Sequence, residues 1–342
     1  MQAHTHPAPI VVTMGCPSGV GPEIAVVAVR EARRRGIDCR LLGDRGALEH
    51  AAQVFGLDPT RLLGPSNIEA PLAEWIPMLE TVAPLDPADR LPGKPTALGG
   101  RAQLSWIDHA TDMANRKEAA AIVTGPVSKE VIAHCGADKA AAFTGHTEHI
   151  ARRLGTGVPV MTFVADGFAV ALVTTHLPVR DVATALTVEG VRHASVACVK
   201  LLLQMGKRPA RLVVSALNPH AGEGGMLGHE EQTTIAPAIE QARRSIAEEG
   251  LEAIIDGPTP AEAAFRVAMN GAYDGVVAMY HDQGTIPMKL KFFGRAVNVT
   301  AGLPIIRTSV DHGTAYDIAG TGKADAGSLL EAIRLADRLA RG

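Results

Sequence analysis

The chain has 342 residues, 46% of them hydrophobic, which supplies apolar material for two buried cores and excludes a disordered chain. Its 33 Lys and Arg stand against 36 Asp and Glu, a net charge of −3 with both signs dispersed, so no basic stripe for nucleic acid is present. No apolar run reaches the ~18 residues that span a bilayer, and the opening MQAHTHPAPI has neither the basic nor the apolar region of a secretory signal, so a soluble cytoplasmic protein is expected. Four cysteines, at 16, 39, 135 and 198, contain no C-x-x-C pair and predict free thiols, with no disulfide frame and no cysteine zinc site.

In chain order, PIVVTM (9–14) predicts a strand that feeds the Gly-rich VVTMGCPSGVGPEIAV (11–26) and then a helix over GPEIAVVAVREARRR (21–35). A strand, a glycine turn and a helix N-terminus together form the geometry that cradles phosphates. Here, however, the glycines run G-x-x-x-G-x-G, interrupted by Pro17 and closed by Pro22, and no Gly-Lys-Ser/Thr follows. Neither a dinucleotide fingerprint nor a P-loop is present, and a tight turn with Pro22 opening the helix is the simpler reading. The stretch from about 64 to 96 is Pro-rich and weakly periodic, as in an excursion over the surface.

Further strands are predicted over AAIVTG (120–125), VPVMTFVA (158–165), FAVALVTT (168–175), RLVVSAL (211–217) and DGVVAMY (274–280). Helices are predicted over SKEVIAHC (128–135), EGVRHASVACVKLLLQM (189–205) and EEQTTIAPAIEQARRSIAEE (230–249). This alternation predicts an α/β chain with a largely parallel sheet, whose ligands gather in the turns after the strands.

Four histidines fall at such strand ends or in polar turns: His146 in FTGHTEH, His176 in LVTTHLP, His220 in ALNPHAGEGG and His281 in AMYHDQG. A single one in that setting is most simply a satisfied polar residue. Several together fit a divalent ion, because neutral imidazole is its commonest ligand and three ligands leave positions open for substrate oxygens. Downstream, Lys289, Asn298 and Arg307 each stand amid apolar residues. Such a charge needs a partner, which is either an internal carboxylate such as Asp282 or Glu262, or a bound phosphate or carboxylate gripped by the guanidinium fork.

These residues resemble the PdxA family of 4-hydroxythreonine-4-phosphate dehydrogenases. The resemblance rests on GxPxGxGPEI near the start, TGPVSKEVI (124–132), TGHTE (144–148), LNPHAGEGG (217–225), MYHDQG (279–284) and VNVTAGLPIIRTSVDHGTAYDIAGTGKAD (297–325). It implies an isocitrate/isopropylmalate dehydrogenase-like α/β subunit of two domains with a cleft, working as a homodimer. The domains are expected at 1–140 plus 315–342 and at 141–314, the second carrying the metal and substrate residues and the dimer interface. The implied reaction is NAD(P)-dependent, metal-assisted oxidation of the secondary alcohol of 4-phosphohydroxy-L-threonine, with decarboxylation of the β-keto acid, in pyridoxal phosphate biosynthesis.

Carried onto this chain, the metal ligands are His176, His220 and His281, shared between two subunits, with Zn2+ first and Mg2+, Mn2+ or Co2+ as alternatives. The substrate positions are His146, Thr147, Lys289, Asn298 and Arg307, and Lys289 or Asp282 is the base or orients it. HGTAYDIAGTGKA (312–324) is similar to the adenosine loop H-G-[ST]-A-P-D-I-A-G of the β-decarboxylating dehydrogenases, which places cofactor contacts at Gly313, Thr314, Ala315 and Asp317. An acidic Asp317 accepts a ribose 2′-OH and repels a 2′-phosphate, favouring NAD over NADP.

The chain departs from the family pattern at Cys16 and Ser18, where Asp and Ala are usual, and at Glu262, where Asp is usual; Tyr316 replaces the Pro of the related loop. These changes point to altered pocket charge and leave open paralogous substrates, namely terephthalate cis-dihydrodiol and 4-phospho-D-threonate or erythronate. Two other readings are a non-catalytic small-molecule binder on the same fold and a phosphotransacetylase-like acyl transferase.

Overall fold

The computed structural model describes residues 8–65, 75–138 and 140–342. The opening seven residues, read above for a signal, and 66–74 of the Pro-rich stretch lie outside the described residues. The chain divides into two compact units, 1–159 with 303–341, and 160–302.

The first unit is built on a wholly parallel sheet. Its strands are β1 (Ile10–Thr13), β2 (Cys39–Leu42), β3 (Leu63–Pro65), β4 (Ile76–Leu79) and β5 (Ala121–Thr124). The second unit contributes β6 (Val160–Ala165), β7 (Phe168–Leu172), β8 (Ala210–Ser215), β9 (Ala253–Thr259), β10 (Gly275–Ala278) and β11 (Val297–Ala301), after which β12 (Arg307–Ser309) returns to the first. In the first unit the order is β3-β4-β2-β1-β5-β12, with Ile10 opposite both Cys39 and Ala121 and Arg307 opposite Ile122. In the second it is β11-β6-β7-β10-β8-β9, parallel from β7 to β9 and antiparallel at β11·β6 and β6·β7. The hairpin β6–β7, joined through Asp166 and Gly167, makes one antiparallel pair and β11·β6 the other, within the largely parallel sheet expected.

Continuous burial along β1, β5 and β10 is what parallel strands with both faces covered require. The helix Gly21–Arg34 buries Ile24, Ala25, Ala28, Val29 and Ala32, spacings that keep one stripe against the sheet. Each large side chain so buried contributes about 1.5–3 kcal/mol. In the second unit Phe163, Val170, Leu172, Val213, Val276, Met288 and Phe292 form one core, which fixes the helix His281–Phe292 on the sheet.

The Pro-rich stretch is no simple excursion, since Leu63–Pro65 and Ile76–Leu79 pair as parallel strands. Residues 141–159 and 303–314 fall in the first unit, so His146, Thr147 and Arg307 stand there, not in the second domain as expected. All four cysteines are free and buried. Among the described residues no helix is long and apolar enough to cross a membrane.

Candidate active site

Three of the four histidines follow three neighbouring strands of the second unit. His176 lies beyond β7, His281 opens the helix after β10, and His220 lies beyond β8; the order β7-β10-β8 makes these strands consecutive and parallel. Their C-terminal ends therefore stand side by side, one strand spacing of about 4.8 Å apart. The rings of His176 and His281 lie 5.6 Å apart between centroids. His281 Nδ1 is 2.7 Å from Asp282 Oδ1, a carboxylate contact that orients the ring and occupies one of its two nitrogens.

Two polar side chains tie these strand ends together. Thr174 Oγ1 donates to the Met279 carbonyl at 2.8 Å. Gln283 accepts from the Met279 N–H at 2.6 Å and donates to the Ala216 carbonyl at 2.8 Å, linking the approach to His281 with the approach to His220. His220 itself sits in a left-handed run, with φ of 52° at His220, 54° at Ala221, 80° at Gly222, 45° at Glu223 and 69° at Gly224. For the non-glycine members this conformation costs roughly 1–2 kcal/mol each and persists only where the surroundings enforce it.

Among the described residues no group of three or more His, Cys, Asp or Glu is close enough to enclose a metal ion. The donor chemistry nonetheless suits one, with two imidazoles ring to ring and a third on the adjacent strand end. Lys289 is exposed, not set amid apolar packing as its sequence neighbours implied. Asn298, on β11, keeps a buried Oδ1 that has no hydrogen-bond partner.

A cationic pocket lies in the first unit. Arg307, only 3% exposed, opens β12 and directs its Nε and Nη2 to Thr124 Oγ1 at 3.2 and 2.7 Å and its Nη1 to Thr147 Oγ1 at 3.4 Å. Burial lowers its pKa to about 10, against which the Glu148 carboxylate acts. His146, first residue of the helix His146–Leu154, is half-buried beside it, with its Nε2 buried and without a hydrogen-bond partner. Burial first, and then the charges of Arg307, His149 and Lys129, hold its pKa well below the usual 6.5, so the ring is neutral at neutral pH. A buried guanidinium beside an orphaned imidazole nitrogen is a ready receptor for an oxyanion. Thr124, at the head of the TGPVSKEVI motif, belongs to this pocket and was not singled out by sequence reasoning, because a Thr ending a buried strand carries no distinctive local signal.

The segment 312–324 is seated on the N-terminal signature of the same unit. Glu23, buried in GPEI, accepts the Gly320 N–H on Oε2 and the Gly322 N–H on Oε1, both at 2.8 Å. The Val20 N–H donates to the Thr314 carbonyl at 2.9 Å. Any Cβ at Gly19 would lie 2.7 Å from that same carbonyl, so only glycine fits there. The turn at 15–22 is thus the support of the 312–324 loop. Within the loop Ala315 takes a positive φ of 43°, Gly313 has open space where a side chain would stand, and Asp317 is exposed.

Two departures from the family pattern touch each other: Cys16 Sγ lies 3.4 Å from the Tyr316 hydroxyl. Burial raises the Cys16 thiol and pushes the Tyr316 phenol up to about 12, so both are neutral. Ser18 donates to the Lys94 carbonyl at 3.1 Å. Glu262 alters no pocket: it is exposed and pairs with Arg266 at 2.9 Å, and so is not the internal partner that sequence reasoning offered to Lys289 or Arg307.

A family profile described as "Pyridoxal phosphate biosynthetic protein PdxA" matches residues 37–336. The 4-hydroxythreonine-4-phosphate dehydrogenase of Desulfosudis oleivorans is 43% identical over 97% of this chain and 96% of its own. The crystal structure of the enzyme of that name from Klebsiella pneumoniae superposes with a TM-score of 0.84 at 36% identity, covering 97% of this chain and 99% of that one. A terephthalate 1,2-cis-dihydrodiol dehydrogenase from Burkholderia xenovorans is more distant, with a TM-score of 0.67 at 28% identity over 96% of this chain and 97% of its own. The EutD phosphotransacetylase of Staphylococcus aureus, at 17% identity and a TM-score of 0.55 over 97% of this chain and 94% of its own, shares the fold alone.

Proposed function

This chain belongs to the PdxA family of pyridoxal phosphate biosynthetic proteins, and on that premise we propose that it oxidises the secondary alcohol of 4-phosphohydroxy-L-threonine with NAD, the resulting β-keto acid losing CO2. The observation that carries the substrate is the buried Arg307, seated by Thr124 and Thr147 beside the unpartnered Nε2 of His146. A phosphate supplies acceptor oxygens suited to a guanidinium and to the buried His146 Nε2. The dihydrodiol dehydrogenase, whose named substrate also carries carboxylates, is the more distant relative.

When bound, NAD supplies the hydride acceptor and a divalent cation, Zn2+ first with Mg2+, Mn2+ or Co2+ as alternatives, supplies Lewis-acid stabilisation of charge developing on substrate oxygen. His176, His220 and His281 are the imidazoles suited to the cation, and Asp282 holds His281 through Nδ1. That contact supports reading Asp282 as orienting the ligand, and Lys289 is then read as the group that takes the hydroxyl proton. Asn298 Oδ1, buried and unpartnered, is suited to accept a hydrogen bond from the substrate. Gly313, Thr314 and Ala315 offer backbone to the adenosine, and the exposed Asp317 carboxylate accepts the ribose 2′-OH, which favours NAD over NADP.

We further read the working unit as a cytoplasmic homodimer with a shared site. Support comes from exposed apolar side chains on the same segments: Leu177 and Val179 after His176, Met226 after the His220 run, and Leu290 and Phe293 toward the C-terminal end of the helix that His281 opens, the last two 82% and 84% exposed.

Steady-state NADH formation with 4-phosphohydroxy-L-threonine, 4-phospho-D-threonate and terephthalate cis-dihydrodiol tests the proposal. It predicts the highest kcat/KM for the first; a higher value for either of the others would overturn it.

A further inference from the structure

The left-handed run that carries His220 touches β9 and the segment Glu231–Ile235, and its conformation persists only where such surroundings enforce it. Glu231 is only 4% exposed and lies beneath the run. Its Oε1 accepts the N–H groups of Leu217 and Asn218 at 2.9 and 2.8 Å, the last two residues before Pro219 and His220. Its Oε2 accepts from Asn218 Nδ2 at 3.0 Å. The same Oε2 stands 2.7 Å from where a Cβ at Gly222 would be, so a side chain there would collide with the carboxylate and only glycine fits. Glu231 opens a π-turn, Glu231–Ile235, ahead of the helix Ala236–Glu248; this wider winding is rare and concentrates at functional sites.

We propose that Glu231 is a positioning residue, whose buried carboxylate holds the left-handed run so that the His220 imidazole is presented as a ligand. The proposal rests on the reading of His220 as a cation ligand. Glu231 touches neither substrate nor cofactor in that reading and acts through the backbone alone. Because the strained residues gain nothing from one another, loss of the carboxylate lets the run relax toward ordinary φ and turns the imidazole away. The first unit, which carries the 312–324 loop and Glu23, has no part in this.

The test uses the full-length protein stripped of metal, with Mn2+ as the probe. In Glu231→Ala, hydrogen exchange at the Leu217 and Asn218 amides should accelerate at least tenfold, and the Kd for Mn2+ should rise about 10- to 100-fold, as for other supports of metal ligands. The Kd for NADH, corrected for the folded fraction, should stay within twofold; a general loss of structure would move both ligands together. Glu231→Gln guards against failure to fold, since its Oε1 still accepts while its Nε2 opposes the Asn218 amide, and an intermediate rise in the Mn2+ Kd is expected. Unchanged exchange at Leu217 and Asn218, or an unchanged Mn2+ Kd with accelerated exchange, would overturn the proposal. His220→Ala separates the two readings: wild-type Mn2+ affinity in that variant would strike His220 as a ligand, whatever Glu231 does to the run.

Discussion

Arg307 concentrates the energetics of the anion site in one side chain, because a buried guanidinium held toward Thr124 and Thr147 forms charge-assisted bonds when an anion arrives. Removing it deletes charge-assisted bonds worth about 1.5–3 kcal/mol, so Arg307→Ala should raise KM for the phosphorylated substrate roughly 10- to 100-fold with a smaller change in kcat, read from NADH kinetics. His146 makes a second prediction through pH. Its folded pKa lies well below 6.5 while the unfolded ring titrates near that value, so the unfolded chain takes the proton and stability falls as pH drops below about 6.5. The group contributes at most about 1.4 kcal/mol per pH unit to that slope, and denaturant titrations should show a shallower acid loss in His146→Asn. At this scale the sequence was legible where chemistry is unusual for the setting, as at His146 and Arg307. It misled at Lys289 and Glu262, because apolar neighbours in the chain do not say which face of a helix a residue takes.

Among the elements, the loop 312–324 and the helix Gly21–Arg34 act as one piece. Glu23 spends both carboxylate oxygens on the Gly320 and Gly322 amides, and the Thr314 carbonyl is held by the Val20 N–H. In Glu23→Gln one of those oxygens becomes a donor facing an N–H, which costs about 1–3 kcal/mol at a buried site. The KM for NAD should therefore rise roughly 5- to 50-fold, while the Kd for Mn2+ in the second unit stays unchanged; equal loss of both would contradict the assignment. The strands with continuous apolar runs, β1, β5, β6, β7, β8 and β10, were all readable from composition and length. Among those missed, β2 with its CRLL and β12 with its RTS are four and three residues long and carry a charge that only the tertiary setting absorbs, while β9 is interrupted by the Gly257 and Pro258 of its AIIDGPT. The helix His281–Phe292 escaped notice because Gly284 and Pro287 interrupt its pattern, yet its buried residues Gly284, Thr285, Met288 and Phe292 still fall on one face.

For the whole chain, the α/β class followed directly from the alternation of elements, whereas the unit boundary did not. Residues 303–314 return to the first unit because β12 pairs in parallel with β5 and Thr308 Oγ1 bonds the Ala332 carbonyl at 2.9 Å, a long-range closure invisible to local pattern. The proposed dimer makes a prediction through the exposed apolar side chains. Leu290→Asp should convert a dimer to a monomer in light-scattering measurements and lower kcat/KM at least tenfold if the site is shared, whereas a fully active monomer would refute the sharing. The central claim is oxidation coupled to loss of CO2, and stoichiometry addresses it most directly. With 4-phosphohydroxy-L-threonine and NAD in excess, the account predicts one NADH and one CO2 for each substrate consumed. Formation of NADH without CO2, or no NADH at all from this substrate, would contradict it.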